Sequence, residues 1–257
     1  MSDWQPVQYL KYKNERTQPS IDLVNRINHV KPSRIIDVGC GPGNSTVILK
    51  NQWPDADVYG LDNSESMLQK AEADFPDIHW ILMDANDDMS SLGQFDVVFT
   101  NAALQWMPEH EILIPSMYNM LNENGVLAAQ VPCVKHLSVY AAILTLTKTQ
   151  NWMGYFHSLP VFPKHFPYEH YYNIICELTD KIEIWQTDYI HVMRDHSDIV
   201  DWYMGTGLRP FLDMLPDNET RIDFCSEYRK LLYEAYPVEK NGKVLLPFTR
   251  IFFIAYK

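Results

Sequence analysis

At 257 residues the chain is long enough for one large α/β domain, or a domain with a smaller cap, and such a fold buries roughly 70–75% of the unfolded surface without any staple. Its 46% hydrophobic and 21% charged residues are ordinary for a globular protein, and a net charge of −12 argues against nucleic-acid binding through phosphate neutralisation. No apolar run approaches a membrane span, the first residues lack a basic-then-apolar signal, and four scattered cysteines without a CxxC pair point to a reduced, cytoplasmic protein with no metal site.

From Arg34 onward, short apolar runs alternate with amphipathic stretches. Arg34-Ile-Ile-Asp-Val-Gly reads as a buried strand, followed by a Gly-rich turn and a helix from about Asn44 to Trp53. Asp57–Asp62 is a second strand, after which Ser64 is placed to cap a helix running to about Asp74. Ile78–Asp84 is a third strand and Phe95–Thr100 a fourth. A helix over Glu109–Leu121 leads to a turn at Gly125 and a fifth strand, Val126–Val131. Strands separated by helices of this size imply right-handed βαβ units in a parallel, doubly wound sheet.

The second half is less regular. Leu137–Trp152 is predicted helical, and Phe156–Pro167, with three prolines and many aromatics, reads as a loop or cap edge. Lys181–Val192 alternates as a strand, helices are expected over Ser197–Met204 and Asn218–Tyr236, and a last strand follows the Asn241-Gly242 turn over Val244–Tyr256. Two terminal strands beside five parallel ones make a mostly parallel seven-stranded sheet.

The most informative segment is Asp37-Val-Gly39-Cys-Gly41-Pro-Gly43-Asn-Ser, between a strand and a helix. Glycines there let the backbone turn sharply and approach a ligand, at the strand ends where open α/β sheets bind theirs. A G-x-G turn alone also fits a nicotinamide or flavin enzyme. Here the spacing is Gly-x-Gly-x-Gly with Pro42 inside it, and the acidic Asp37 ends the strand before it. A sulfonium-bearing amino acid with an α-ammonium group wants acid nearby, and a pyrophosphate does not. Asp62 closes the second strand, 19 residues after Gly43, where it can accept both hydroxyls of a ribose. Asp84 closes the third, where it can accept from an exocyclic adenine amine. Each of the three acids is alternatively a solvated turn Asp.

Taken together, Asp37-Val-Gly-Cys-Gly-Pro-Gly, Gly60-Leu-Asp-Asn-Ser-Glu-Ser-Met-Leu68 and Asp84-Ala85 resemble the successive cofactor motifs of class I methyltransferases. The resemblance implies a Rossmann-like seven-stranded sheet with helical cap insertions and S-adenosyl-L-methionine as cofactor. It implies a single domain over 1–257, with a cofactor-binding core over 30–133 and substrate-cap segments over 134–180 and 193–238. The cofactor set would be Asp37, Gly39, Cys40, Gly41, Asn44, Asp62, Asn63, Met67, Asp84, Ala85 and Asn101. Met67 is either an apolar neighbour of the adenine or plain core.

Outside that core, Tyr12-Lys-Asn-Glu-Arg-Thr-Gln-Pro19, Asn101-Ala-Ala-Leu-Gln-Trp106, Gly205-Thr-Gly-Leu-Arg-Pro210 and Leu245-Leu-Pro-Phe-Thr-Arg-Ile-Phe are similar, in order, to segments of trans-aconitate methyltransferases. That family esterifies a carboxylate of a small polyanionic acid, an acceptor that is already an anion and needs no base. Alignment then carries the catalysis, worth up to about 7–11 kcal/mol. Arg clamps should hold the remaining carboxylates, since the planar guanidinium fork meets a carboxylate bidentately.

The candidates are Arg209 and Arg16, each alternatively a structural ion pair. Trp106 and Gln105 follow the fourth strand, where donor should meet acceptor, Trp106 as a wall of the reacting centre or as packing. Tyr12, Tyr189 and Tyr203 are possible carboxylate donors, and His165 and His191 read as packing or surface residues. The loop Gln130–Ser138 departs from the family: it is shorter, lacks the family's Asn and Asp-Glu-Pro pattern, and carries Lys135 and His136, which could retune the pocket for another acid. Competing readings are methyl transfer to another small-molecule oxygen or nitrogen, which would need a base, and a non-catalytic cofactor-binding protein. Oligomeric state is left open between monomer and homodimer.

Overall fold

In the computed structural model, residues 13–133, 138–159 and 165–257 are described, with side chains from Thr17 onward. A seven-stranded sheet is built from β1 (Arg34–Val38), β2 (Asp57–Asp62), β3 (His79–Leu82), β4 (Phe95–Asn101), β5 (Leu121–Pro132), β6 (Ile182–Met193) and β7 (Val244–Tyr256), in the order β3-β2-β1-β4-β5-β7-β6. The first five strands pair in parallel, and β7 runs antiparallel between β5 and β6. The chain winds outward from β1 to β3 and returns on the other side at β4, so the order reverses between β1 and β4. A crevice at the strands' carboxyl ends belongs at such a switch point.

Burial on both faces explains the apolar runs of the central strands. One face carries α1 (Lys13–Arg26) and α2 (Asn44–Gln52); Leu23 and Val24 of α1, Ile27 just after it and Leu49 of α2 lie in one cluster with Ile35, Val97, Phe99, Phe252 and Ile254. The other face carries α4 (His110–Asn119) and α6 (Tyr168–Ile175), which bury Leu113, Ile114, Met117 and Tyr171 against Ile36, Val98, Leu127 and Phe253. Helix α3 (Glu65–Asp74) turns Met67, Leu68 and Ala71 inward beside β2 and β3. A third cluster gathers α5 (Ser138–Thr147), α7 (His196–Met204), α8 (Arg209–Leu212) and α9 (Asn218–Ala235) around Trp152, Trp202, Phe211 and Phe224, against Met193, Val244, Leu246 and Phe248 at the ends of β6 and β7. Among the described residues no helix is long and apolar enough to cross a membrane.

Three local expectations are corrected. Gly125 is no turn before a fresh strand: β5 begins at Leu121, and the register slips from Phe95↔Leu121 to Val97↔Val126 around Asn124, whose φ is 65°. Ser64 occupies the cap position of α3 but its hydroxyl makes no capping bond; it lies 3.3 Å from the Ser66 hydroxyl, while the Ser64 amide donates to the Asp62 carboxylate. The Asn241-Gly242 turn precedes β7 as expected. It closes a small loop bridged by Val238 and Val244, and the long connection between β6 and β7 holds α7 to α9. The helix expected to reach Trp152 ends at Thr147.

Candidate active site

Local geometry at the end of β1 follows from its glycines. The amides of Gly39 and Cys40 both donate to the carbonyl of Leu61, at 2.7 and 3.0 Å, which folds the loop over the end of β2. Gly39 has φ +76°, and a Cβ there would stand 2.4 Å from the Ala103 Cβ, so the segment after β4 packs directly on the loop. Gly41 has φ +54° but nothing within 4 Å of a Cβ position. One glycine is demanded by packing, and the other faces open space that a side chain would fill.

The three acids differ sharply in environment. Asp37 is fully buried, and its Oδ2 accepts from the hydroxyls of Ser45 (2.6 Å) and Thr46 (2.7 Å) in the first turn of α2. Its Oδ1 is buried with no hydrogen-bond partner among the described residues. Burial pushes the carboxyl up to about 6, with the two hydroxyls pulling the other way. Asp62 is half-buried; its Oδ2 accepts from the Gly41 amide at 2.8 Å and its Oδ1 from the Ser64 amide at 2.9 Å. Its carboxyl is raised by burial, against the pull of those amides. Asp84 is held below the ordinary carboxylate range, first by the Asn86 amide. Its Oδ2 accepts from the Asn63 side chain at 3.1 Å, which ties the end of β2 to that of β3.

The other expected cofactor residues gather around these ends. Cys40 is buried beside Gly60, and burial drives its thiol well above the ordinary range, so it packs and does not react. Asn44 opens α2, while Met67 and Ala85 are buried. Asn101 ends β4 with a buried Oδ1 that has no partner among the described residues. Beyond it Ala102 takes a left-handed φ of 53°, strain on the order of 1–2 kcal/mol for a residue with a Cβ. The kink launches the short helix Leu104–Trp106. Gln105 is buried, its Nε2 donating to the Ala102 carbonyl at 2.5 Å and its Oε1 left without a described partner, while Trp106 is 38% exposed. His110 accounts for that placement and was missed by sequence reasoning, since nothing local marks it. Its Nε2 lies 2.8 Å from the Leu104 carbonyl, so it must donate there, and its Nδ1 lies 3.2 Å from His170 Nε2.

On the acceptor side, Arg209 begins α8 mostly buried, its Nε 3.8 Å from the Asp213 carboxylate. Tyr12 and the side chain of Arg16 lie outside the described residues, as do Lys135 and His136. The Tyr189 hydroxyl is committed to Asp22 at 2.5 Å, whereas the Tyr203 hydroxyl is buried without a described partner. His165 links the Pro132 carbonyl to the Tyr140 hydroxyl, and His191 packs on Trp202. Arg250 and Gln130 form a buried polar pair that sequence pattern alone does not single out. Arg250 on β7 donates from Nη1 to Gln130 Oε1 on β5 at 3.1 Å, both buried. The available signal was a lone arginine in the otherwise apolar run of a central strand.

A family profile described as a methyltransferase domain matches residues 35–125. The chain is 37% identical over 255 residues to a trans-aconitate 2-methyltransferase of Enterobacter sp. (strain 638), covering 99% of this chain and 98% of that protein. It is 37% identical over 260 residues to the one of Variovorax paradoxus (strain S110), covering 100% and 99%. In fold it is similar to the YcgJ protein of Bacillus subtilis, with a TM-score of 0.58 and 12% identity over 93% of this chain and 98% of that one. It is also similar to a Haemonchus contortus N-methyltransferase solved with S-adenosylhomocysteine, with a TM-score of 0.56 and 17% identity over 93% and 52%. At such identities these two likenesses bear on the fold alone. Identity above one third along the whole length carries more: the chain belongs to the family of the trans-aconitate 2-methyltransferases.

Proposed function

We propose that this protein transfers a methyl group from S-adenosylmethionine to a carboxylate of a small polycarboxylic acid such as trans-aconitate. The observation that carries the reading is full-length similarity to trans-aconitate 2-methyltransferases, joined to an intact loop-and-acid constellation at the switch point. The donor set suits that cofactor. Asp37 Oδ1 is a buried, unsatisfied acceptor suited to an ammonium group, and the open space over Gly41 would take bulk that a Cβ would exclude.

S-adenosylmethionine, when bound, supplies an electrophilic methyl carbon on a sulfonium. The chain's part is to bind and align. Asp62, fixed by the Gly41 and Ser64 amides, keeps lone pairs for ribose hydroxyls. Asp84 with Asn63 would meet the adenine amine, and Met67 and Ala85 would wall its ring. Gly39, Cys40 and Asn44 shape the loop, and Asn101 stands where cofactor and acceptor meet. Gln105 and Trp106 would line the reacting centre, with Arg209, Arg16 and Tyr12 on the acceptor's remaining carboxylates and the segments 134–180 and 193–238 covering it. No residue has to remove a proton, because the acceptor is already a carboxylate.

The test is release of S-adenosylhomocysteine with each member of a panel of di- and tricarboxylates, amines and phenols. Turnover confined to carboxylates is expected. Turnover with an amine or phenol and with no carboxylate would overturn the assignment of acceptor.

A further inference from the structure

We propose that His110, backed by His170, is a positioning residue for methyl transfer: by holding the Leu104 carbonyl it fixes where Gln105 and Trp106 stand beside the reacting centre. This rests on the function proposed above and names a residue that serves it through its neighbours.

The segment that carries Gln105 and Trp106 is strained at both ends. It leaves β4 at Asn101 and enters α4 at His110. Ala102 has a φ of 53° and Glu109 a φ of 57°, left-handed values that a Cβ disfavours, and Asn124 is the third such non-glycine among the described residues. A backbone of this kind persists only where its surroundings fix it. The sheet and the cofactor loop fix its first half. The Ala102 amide donates to the Gln130 carbonyl at 2.9 Å, and Gln105 Nε2 donates back to the Ala102 carbonyl at 2.5 Å. Ala103 and Met107 lie over Gly39, where a Cβ would stand 2.4 and 2.9 Å from them.

A further tie comes from α4. His110 is buried, and its Nε2 donates to the Leu104 carbonyl at 2.8 Å. The same oxygen takes the Met107 amide at 3.0 Å, so it binds the short helix Leu104–Trp106 both to itself and to α4. The imidazole is held in turn. Its Nδ1 lies 3.2 Å from His170 Nε2, and its ring meets Phe166 edge-on at 5.2 Å and Tyr171 at 5.7 Å. His170, on α6, stacks on Phe166 at 3.9 Å, with its Nδ1 3.9 Å from the Glu111 carboxylate. An apolar side chain would fill this pocket without the desolvation that a buried imidazole costs. What the imidazole adds is its N–H on Leu104. Gln105 and Trp106 follow Leu104 directly, so a carbonyl that drifts takes both with it. A shift of about 1 Å in a reacting geometry costs on the order of a hundredfold in rate.

The test compares two amides at one position. The side-chain nitrogen of His110→Gln falls near the place of the imidazole Nε2 and can still donate to Leu104. That of His110→Asn falls near the place of Nδ1 and leaves the Leu104 carbonyl without its second donor. His170→Phe removes the ring nitrogens behind His110 and keeps an aromatic ring against Phe166. For each variant the melting temperature, the S-adenosylhomocysteine affinity by calorimetry, and kcat and KM with trans-aconitate are measured.

The positioning role predicts at least a tenfold loss of kcat in His110→Asn, with KM and S-adenosylhomocysteine affinity within threefold of wild type, because alignment is lost and binding is not. His110→Gln should keep kcat within threefold of wild type, and His170→Phe should lose threefold or more. A folded His110→Asn with kcat within twofold of wild type, or a His110→Gln as slow as His110→Asn, would overturn the role and leave carboxylate methylation standing. A kcat that merely follows melting temperature across the three variants would overturn it too. Should His110→Asn fail to melt cooperatively, His170→Phe decides alone, an unchanged kcat overturning the role. A wild-type protein that turns over no carboxylate would end both the function reading and the role built on it.

Discussion

Replacing Asp37 by Asn should make the ligand-free protein more stable and the cofactor complex weaker. Asp37 is fully buried, and its carboxyl is raised from an ordinary 3.8 to about 6, chiefly by burial. Two pK units correspond to roughly 3 kcal/mol of differential free energy. The sign follows from linkage. Above pH 6 the group is charged in both folded and unfolded chains, and the folded state bears the whole cost. As pH falls from 6 toward 3.8, the folded protein takes up the proton first and the cost disappears. Asn keeps the shape and one acceptor for the Ser45 and Thr46 hydroxyls, and it cannot ionise. Denaturant unfolding without ligand should find Asp37→Asn about 1–3 kcal/mol more stable at pH 8, with the gap narrowing toward pH 4. Calorimetry at pH 8 should find S-adenosylhomocysteine bound at least tenfold more weakly. An Asn variant less stable at pH 8, or a gap that ignores pH, would refute the reasoning. Such a trade is expected where a buried charge is kept for a ligand.

The wild-type protein should itself lose cofactor affinity as pH falls through about 6, because an ammonium partner requires Asp37 ionised; a flat affinity between pH 5 and 8 would count against that contact. Gly39→Ala should destabilise the fold by about 1–3 kcal/mol, its Cβ meeting Ala103 at 2.4 Å. Gly41→Ala, with open space around it, should cost only the left-handed penalty of about 1–2 kcal/mol yet lower cofactor affinity; thermal melts with calorimetry separate the two. Asp62→Asn turns an amide donor toward either the Gly41 or the Ser64 N–H, so both melting temperature and cofactor affinity should drop, by about 1–3 kcal/mol of stability. Arg209→Leu should raise the acceptor KM and leave cofactor affinity alone, whereas wild-type values of both would reduce Arg209 to its pairing with Asp213.

Elements marked by short-range pattern were legible. β2 and β7 have the expected bounds, since apolar runs between turn residues are local signals. α1 was not assigned, because Lys13–Arg26 is polar, contains Pro19, and buries its apolar residues only near its end. The bulge at Asn124 reads locally as a turn, and only the pairing with β4 makes it part of a strand. Among the site residues, the strand-end acids announced themselves by position, but not that Asp37 is sealed in while Asp84 stands half open. Burial is a property of the whole fold. The contact of Arg250 with Gln130 is non-local in the same way, since β5 and β7 become neighbours only in the folded sheet.

The central claim is tested most directly by incubating the protein with trans-aconitate and S-adenosylmethionine carrying a 13C-labelled methyl group, and following the product by NMR. The account predicts a single labelled methyl-ester carbon that disappears on mild base hydrolysis. A labelled methyl on nitrogen or on a hydroxyl oxygen of another acceptor, with trans-aconitate untouched, would contradict it.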